Sequence, residues 1–432
     1  MLIVLILCAI MFSGCTNNDR VKIVEIEGET SGNQEDIVEG NLSMNAKKIY
    51  QYDYNSYNTI IQWTDYASTA SWDAENSNNI IVKTYEPNLD QISIRSVDYR
   101  YGFFNVLFTF EKDENVTIQS FSENGKKILL EEMTEDERIL YIYNAETKEQ
   151  EEVSRVSLEQ YPINLFTVES VWIPNSSKVV YGWNFSWYYA DGEEELINLQ
   201  EKKGKGTGFP EYYYQINYYD CDTKIMDTTT IMESWMNSNV MMQYSLKVSP
   251  DGKVLLYALH DKKHYLNQDS AVLTYDDKGV LSIFYPDIEE QKFTEFWMCD
   301  AGIYGQSVLG GLYFYDFDKT EQEWDVVIDD KKSTIIDMVV ADDGKTLYIA
   351  EATEVIGDLA EIVTDRYYSD RNNIYAYSLE YKKKEYLYKG AGNIIHLEVS
   401  PDQTKLLVEL SEAFTSEEDG YNIKVGLLIF HF

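Results

Sequence analysis

The sequence predicts an all-β fold assembled from repeated four-stranded antiparallel units. Two recurring patterns carry that expectation. The first is an apolar residue, a polar turn of the Ser-Pro-Asp-Gly kind, a Lys and an apolar strand. Its clearest copies are VSPDGKVLLYAL at 248–259 and VSPDQTKLLVEL at 399–410, with FSENGKKILLEE at 121–132 and VADDGKTLYIAE at 340–351 close behind. WIPNSSKVVYGW at 172–183 is looser, SWDAENSNNIIVKTY at 71–85 looser still, and Cys299-Asp300-Ala301-Gly302 is a decayed copy. The second pattern follows most copies of the first. It is a strand ending in Tyr, a polar turn and another strand: LYIYNAETKEQEEV at 140–153, INYYDCDTKIMDTT at 216–229, LYFYDFDKTEQEWDVVI at 312–328 and IYAYSLEYKKKEYLY at 374–388.

Each pattern is a hairpin. Asp-Gly or Asn-Gly supplies the positive φ that a tight antiparallel turn requires, and the β-branched and aromatic runs around it supply the strands. Two hairpins make one unit of roughly 40–60 residues, the size of a propeller blade. The expected architecture is a β-propeller of four-stranded antiparallel blades. Seven are counted, near 65–112, 115–155, 166–230, 243–287, 292–329, 333–390 and 394–432, with six or eight left open because the first and fifth copies are degenerate. The last unit ends after three strands, at NIKVGLLIFHF, and AKKIYQYDYN at 46–55 is a candidate fourth strand that closes the ring. Closure removes the exposed sheet edges that otherwise template aggregation.

The Ser-Pro-Asp-Gly-Lys signature with its following apolar strand resembles the WD-repeat-like propellers of the TolB type and the propeller domain of prolyl oligopeptidases. The resemblance covers roughly 60–432. It implies architecture, not activity, since this fold hosts unrelated functions.

The N-terminus reads as an address. Residues 2–12 are LIVLILCAIMF, an apolar run without a charge. It is too short to span a bilayer and suits a signal-peptide core. Ser13, Gly14 and Cys15 follow, then TNNDR, and the segment resembles a lipobox with Phe12 in place of the more usual Leu. The expected organisation is a lipoprotein signal peptide at 1–14, a lipidated Cys15 with a flexible tether over 15–45, and a propeller domain over 46–432. The implied location is the cell membrane, lipid-anchored and facing outside the cytoplasm.

Charge narrows the partners. Lys and Arg number 36 against 74 Asp and Glu, a formal charge of −38 over 432 residues. Such a surface repels phosphate backbones, which argues against nucleic acid. It also repels anionic headgroups, so residence at a membrane needs a covalent anchor. Beyond Cys8 and Cys15 the cysteines are Cys221 and Cys299, without metal-ligand spacing and open to pairing or to two free thiols.

Candidate ligand contacts come from an insertion near 184–211 that carries DGEEE, the glycine-rich EKKGKGTG and Pro210. Trp183 precedes it, Trp187, Tyr188 and Tyr189 stand in its first residues, and Tyr212 and Tyr213 follow it. Aromatics beside long loops are favoured binding anchors, although strand aromatics packed between blades produce the same pattern. No catalytic set is expected. There is no GxSxG elbow, His260 and His264 lack a third metal ligand, and no spacing singles out a carboxylate pair. No metal and no cofactor is implied. The expected role is a binding or scaffold module for a protein, peptide or glycan. The alternatives are an extracellular hydrolase or lyase acting on polysaccharide or peptide, and an accessory subunit of a membrane transporter or sensor.

Overall fold

The structure, a computed structural model, describes residues 22–27, 48–53, 60–61, 70–86, 91–101, 103–111, 115–157, 165–185, 212–233, 243–249, 251–259, 272–275, 281–284, 293–307, 310–319, 324–330, 334–355, 369–416 and 420–432. Every regular element among them is a strand. The strands form six antiparallel sheets, one of which is two blades joined by the 17-residue strand Lys383–Val399. The N-terminal half of that strand pairs with Ser369–Ser378 and its C-terminal half with Lys405–Ser416. Seven blades result, as the repeats predict.

Within each blade the chain runs outward from an inner strand. The inner strands are Ala70–Trp72, Val116–Phe121, Leu165–Trp172, Gln243–Val248, Phe293–Cys299, Thr334–Val340 and the end of Lys383–Val399. From Val116–Phe121 onward each touches the next around a ring, and Lys383–Val399 comes back against Ala70–Trp72. Lys48–Asp53 adds to blade seven by pairing with the C-terminal strand Gly420–His431, Ile49 opposite Phe430 and Asp53 opposite Gly426. That is the closing strand the sequence suggested. Inside the stretch read as a tether, Lys22–Glu27 forms one more strand, paired with Lys48–Asp53.

The repeated turn explains its own signature. Ser122, Ser249 and Ser400 each accept a backbone N–H from the lysine that follows, Lys127, Lys253 and Lys405, at 2.9 to 3.0 Å. Each Ser hydroxyl donates in turn to Asn124, Asp251 or Asp402. The lysine ammonium returns to the same carboxylate at 253 and 405. The chain reverses through a left-handed residue, Gly125, Gly252, Gly344, Asn175 or Gln403. Neighbouring turns also bond to one another: Asn175 N–H to Glu123 at 3.1 Å, Asp251 N–H to Asp300 at 2.9 Å, and Asp342 N–H to Gln403 Oε1 at 3.1 Å.

The core lies between blades. Leu129, Leu140 and Ile142 of blade two pack with Trp172, Val179, Tyr181, Trp183 and Tyr219 of blade three. Ala70, Trp72, Ile80 and Tyr99 of blade one pack with Ile395, Leu407, Leu427 and Ile429 of blade seven. A blade alone leaves both faces of its sheet wet, so the apolar burial that drives folding is realised only in the ring.

Two glycines separate backbone strain from packing. Gly125 (φ 66°) leaves no room for a Cβ, which would sit 2.6 Å from Leu107 Cδ1, whereas a Cβ on Gly344 (φ 62°) meets nothing within 4 Å. Gly344→Ala should cost about 1 kcal/mol from the left-handed backbone alone. Gly125→Ala should cost about 2–3 kcal/mol because overpacking adds to it. Urea unfolding of the two variants measures the difference, and equal losses would show that Leu107 moves aside freely.

Candidate functional site

The inner strands are apolar runs interrupted by polar residues at one recurring place. Five of them carry a β-bulge, between Ile118 and Ser120, Val168 and Ser170, Phe293 and Glu295, Ile335 and Asp337, and Ile394 and His396. A bulge adds one residue to a strand and re-aims the side chains beside it. In all five the residue after the bulge is polar. Ser120 and Ser170 face each other across blades two and three with their hydroxyls 2.6 Å apart.

Asp337 and His396 hold the most developed cluster. The Asp337 Oδ1 atom accepts the indole N–H of Trp297 at 2.9 Å and the Met338 N–H at 2.8 Å. Its Oδ2 accepts the Leu397 N–H at 2.7 Å and lies 3.2 Å from His396 Nδ1. Trp297 belongs to blade five, Asp337 to blade six and His396 to blade seven, so one carboxylate ties three blades together. Two residues along, Glu398 Oε2 accepts the Trp72 backbone N–H at 3.0 Å, and the Glu398 carbonyl accepts the Trp72 indole N–H at 3.1 Å. Trp72 is on blade one. The cluster therefore runs across the seam where the ring closes.

The His396 side chain keeps 34% of its surface accessible, against 13% for Asp337, yet burial works against the charged form of both. Both groups stand on inner strands, the ones nearest the ring axis, and solvent reaches the His396 imidazole there.

Each charge follows from that setting. Burial lowers the affinity of His396 for a proton, but the hydrogen bond and charge of Asp337, helped by Glu398 and Glu409, more than reverse this and raise its pKa. Burial pushes Asp337 up, while His396, Lys247 and the Leu397 N–H pull it below the usual carboxylate value. Each group thus favours the charged form of the other. Burial dominates at Glu398 and raises it to about 7, with Glu123 and Glu409 adding and His396 and the Trp72 N–H opposing. The cluster thus sets an imidazole of raised proton affinity beside a carboxyl group that titrates at about 7. A His with one nitrogen held by Asp, near a carboxyl of shifted pKa, is equipped to bind polar groups and to move protons.

The predicted site residues do not form this cluster. Trp183 is fully buried in the core between blades two and three, where its indole donates to Ser154 Oγ at 3.1 Å. A ring in that position is a packing residue, closed to a ligand by the apolar burial that holds the two blades together. Tyr212 and Tyr213 begin the strand Tyr212–Asp220, opposite Glu233 and Met232. Trp187, Tyr188, Tyr189, His260, His264 and Cys15 lie outside the described residues. Cys221 and Cys299 are free thiols, both shifted up by burial, Cys221 to about 11, which disfavours reactive thiolates. No group of three or more His, Cys, Asp or Glu suited to a metal ion occurs among the described residues.

Sequence reasoning passed over His396, Asp337 and Glu398, although a signal was present. In NIIHLEVSPD and STIIDMVVADD, His396 and Asp337 each stand four residues before the turn residue, Ser400 or Ala341, inside an otherwise apolar strand. Superposing the repeats exposes that shared position.

No protein-family model matches the chain, and no curated protein matches it. Solved structures do. An oligogalacturonate lyase in complex with manganese is 11% identical with a TM-score of 0.54, over 95% of this chain and 98% of that one. An oligogalacturonate lyase from Vibrio parahaemolyticus is 10% identical with the same TM-score of 0.54 and the same coverage, 95% and 98%. A structure from a study of two prolyl endopeptidases is 15% identical with a TM-score of 0.50 over 84% of this chain, and the chain spans about half, 50%, of that protein's length. At these identities the likeness shows the fold: this chain is a β-propeller.

Glu398 makes a pH-dependent contribution of known sign. Its pKa is raised from 4.5 in the free side chain to about 7 in the fold. Its contribution to stability is therefore complete below about pH 4.5 and is lost as pH rises to about 7. Glu398→Gln should flatten that decline and melt above the natural chain at pH 8. Thermal unfolding between pH 4 and pH 8 tests this, and parallel curves for the two proteins would contradict the assignment.

Proposed function

We propose that this chain is a lipid-anchored propeller of the TolB-like, WD-repeat-like kind, displayed outside the cytoplasm, that binds a polar peptide or glycan in the axial space around His396, Asp337 and Glu398. The carrying observation is the Trp297–Asp337–His396 chain, which fixes the His396 ring where solvent reaches it. With Nδ1 occupied by Asp337, the His396 Nε2 is the ring atom left to meet a ligand hydroxyl or carboxylate. The address rests on the apolar run ending in Ser13-Gly14-Cys15. The net charge of −38 supports a covalent anchor over adhesion to headgroups.

A second reading has its own observation. Glu398, raised to about 7, stands two residues from His396, whose affinity for a proton Asp337 raises. That favours an extracellular hydrolase or lyase acting on polysaccharide or peptide. Such activity is in keeping with neighbours named as an oligogalacturonate lyase and prolyl endopeptidases.

A panel of acidic and neutral oligosaccharides and short peptides separates the two, read by thermal shift for binding and by product formation for turnover. Binding without product supports the first reading, and product that disappears in both His396→Gln and Glu398→Gln supports the second. In either case His396→Gln should weaken ligand binding by about 10- to 100-fold, the worth of one charge-assisted hydrogen bond. An unchanged affinity would remove the axial space from consideration. Separately, Cys15→Ser should move the protein from the membrane to the soluble fraction on cell fractionation, and a protein that stays with the membrane would refute the anchor.

A further inference from the structure

The strand pairings give the propeller two unlike faces. On one, the inner and second strands of each blade join through short turns, at 73–78, 122–126, 173–177, 249–253, 300–301, 341–345 and 400–404. On the other stand the strand ends Phe185 and Tyr212, Glu233 and Gln243, Leu259 and Val272, and Val355 and Ser369, joined by connections of 26, 9, 12 and 13 residues, while the 20-residue connection 28–47 leaves from the short-turn side. Register assigns these ends to one side: Leu165 pairs with Phe185 and Tyr212 with Glu233, while Val355 pairs with Ser369 and Ser369 with Gly392.

The N-terminal strand enters at that same side. Lys22 lies opposite Asp53, Asp53 opposite Gly426, and Gly426 opposite Leu410, which pairs with Ile394 at the start of the last inner strand. The other end of Lys22–Glu27 lies level with Lys48 beside the short turns. Cys15 precedes Lys22 by seven residues, a span of at most about 24 Å when fully extended. Beyond Leu410 and Gly426 the second and third strands of blade seven go on pairing as far as Ser416 and Gly420. That hairpin projects about 20 Å from the same face.

We propose that the face of long connections, with the Lys405–Ser416 and Gly420–His431 hairpin standing out from it, is turned toward the bilayer in which Cys15 is anchored. This rests on the lipid-anchor reading. The leash and the projecting hairpin are of similar length, so a short leash starting from this face holds the hairpin tip near the headgroups and keeps the short turns pointing away. A partner seated in or on the same bilayer therefore meets the face of long connections, and a freely diffusing macromolecule meets the short turns.

The test uses the lipidated full chain in phosphatidylcholine vesicles whose headgroups carry an energy-transfer acceptor. With Cys221 and Cys299 replaced by Ser, a donor dye is attached at Thr415→Cys or at Asp342→Cys. Transfer should be several-fold more efficient from position 415, and equal or stronger transfer from position 342 overturns the proposal. A second measurement needs no change in the propeller. Vesicle binding should slow tryptic cleavage at Lys424 several-fold relative to Cys15→Ser protein, while leaving cleavage at Lys345 and Lys382 unchanged. Protection of Lys345 and Lys382 instead reverses the assigned face. Mass spectrometry of the N-terminal peptide separates the two layers of argument: an unacylated Cys15 overturns anchor and orientation together, whereas an acylated Cys15 with equal transfer overturns the orientation alone.

Discussion

Everything in this propeller depends on closing the ring between blade seven and blade one. Each blade is a sheet with apolar residues on both faces, and each face is covered only by the next blade. An open array would leave two such faces and two strand edges in water. The chain prevents this by drawing Lys48–Asp53 from the N-terminal side onto the C-terminal strand Gly420–His431. The last blade is thus built from both ends of the domain, and its completion requires nearly the whole chain to be in place. Long-range pairing of this kind is entropically costly to form and cooperative once formed.

The seam carries more polar interactions than an apolar interface requires. Glu398 bonds twice to Trp72, the Tyr99 hydroxyl lies 3.2 Å from His431 Nε2, and the Lys405 ammonium stands 5.8 Å from the Trp72 ring. Lys83 and Glu409 are both buried there, and burial brings Lys83 down to about 8 against the opposing pull of Glu409. Buried polar groups add little net stability, but they penalise a wrong register heavily because each one left unpaired is expensive. The seam is where a register error is most available, since the pairing strands come from opposite ends of the chain.

The same inner strands serve closure and chemistry. Apolar residues on them face the neighbouring blades, while bulges turn Ser120, Ser170, Glu295, Asp337 and His396 out of that packing. Asp337 is held by donors from three strands, so its carboxylate is fixed before any ligand arrives. Preorganisation of that kind lowers the cost of ordering the site on binding. The result is a rigid axial cluster set in a closed frame of seven blades.

By itself the sequence determined the repeat and the hairpin chemistry of its turns, counted seven blades with six or eight left open, and offered a candidate for the strand that closes them. These are local matters: Ser249, Asp251, Gly252 and Lys253 interact within five residues, and a strand is legible from its own alternation. Trp183 shows the limit of such reading. Its place beside an insertion suggested a ligand contact, but which side of a strand meets the next blade is settled by the ring, and the ring buries it. The axial cluster was likewise out of reach. Trp72 and Glu398 are separated by 326 residues and Trp297 and Asp337 by 40. Their meeting, and the proton affinities that follow from it, come from closure of the ring and not from any local pattern, because only closure brings the inner strands of different blades within hydrogen-bonding distance.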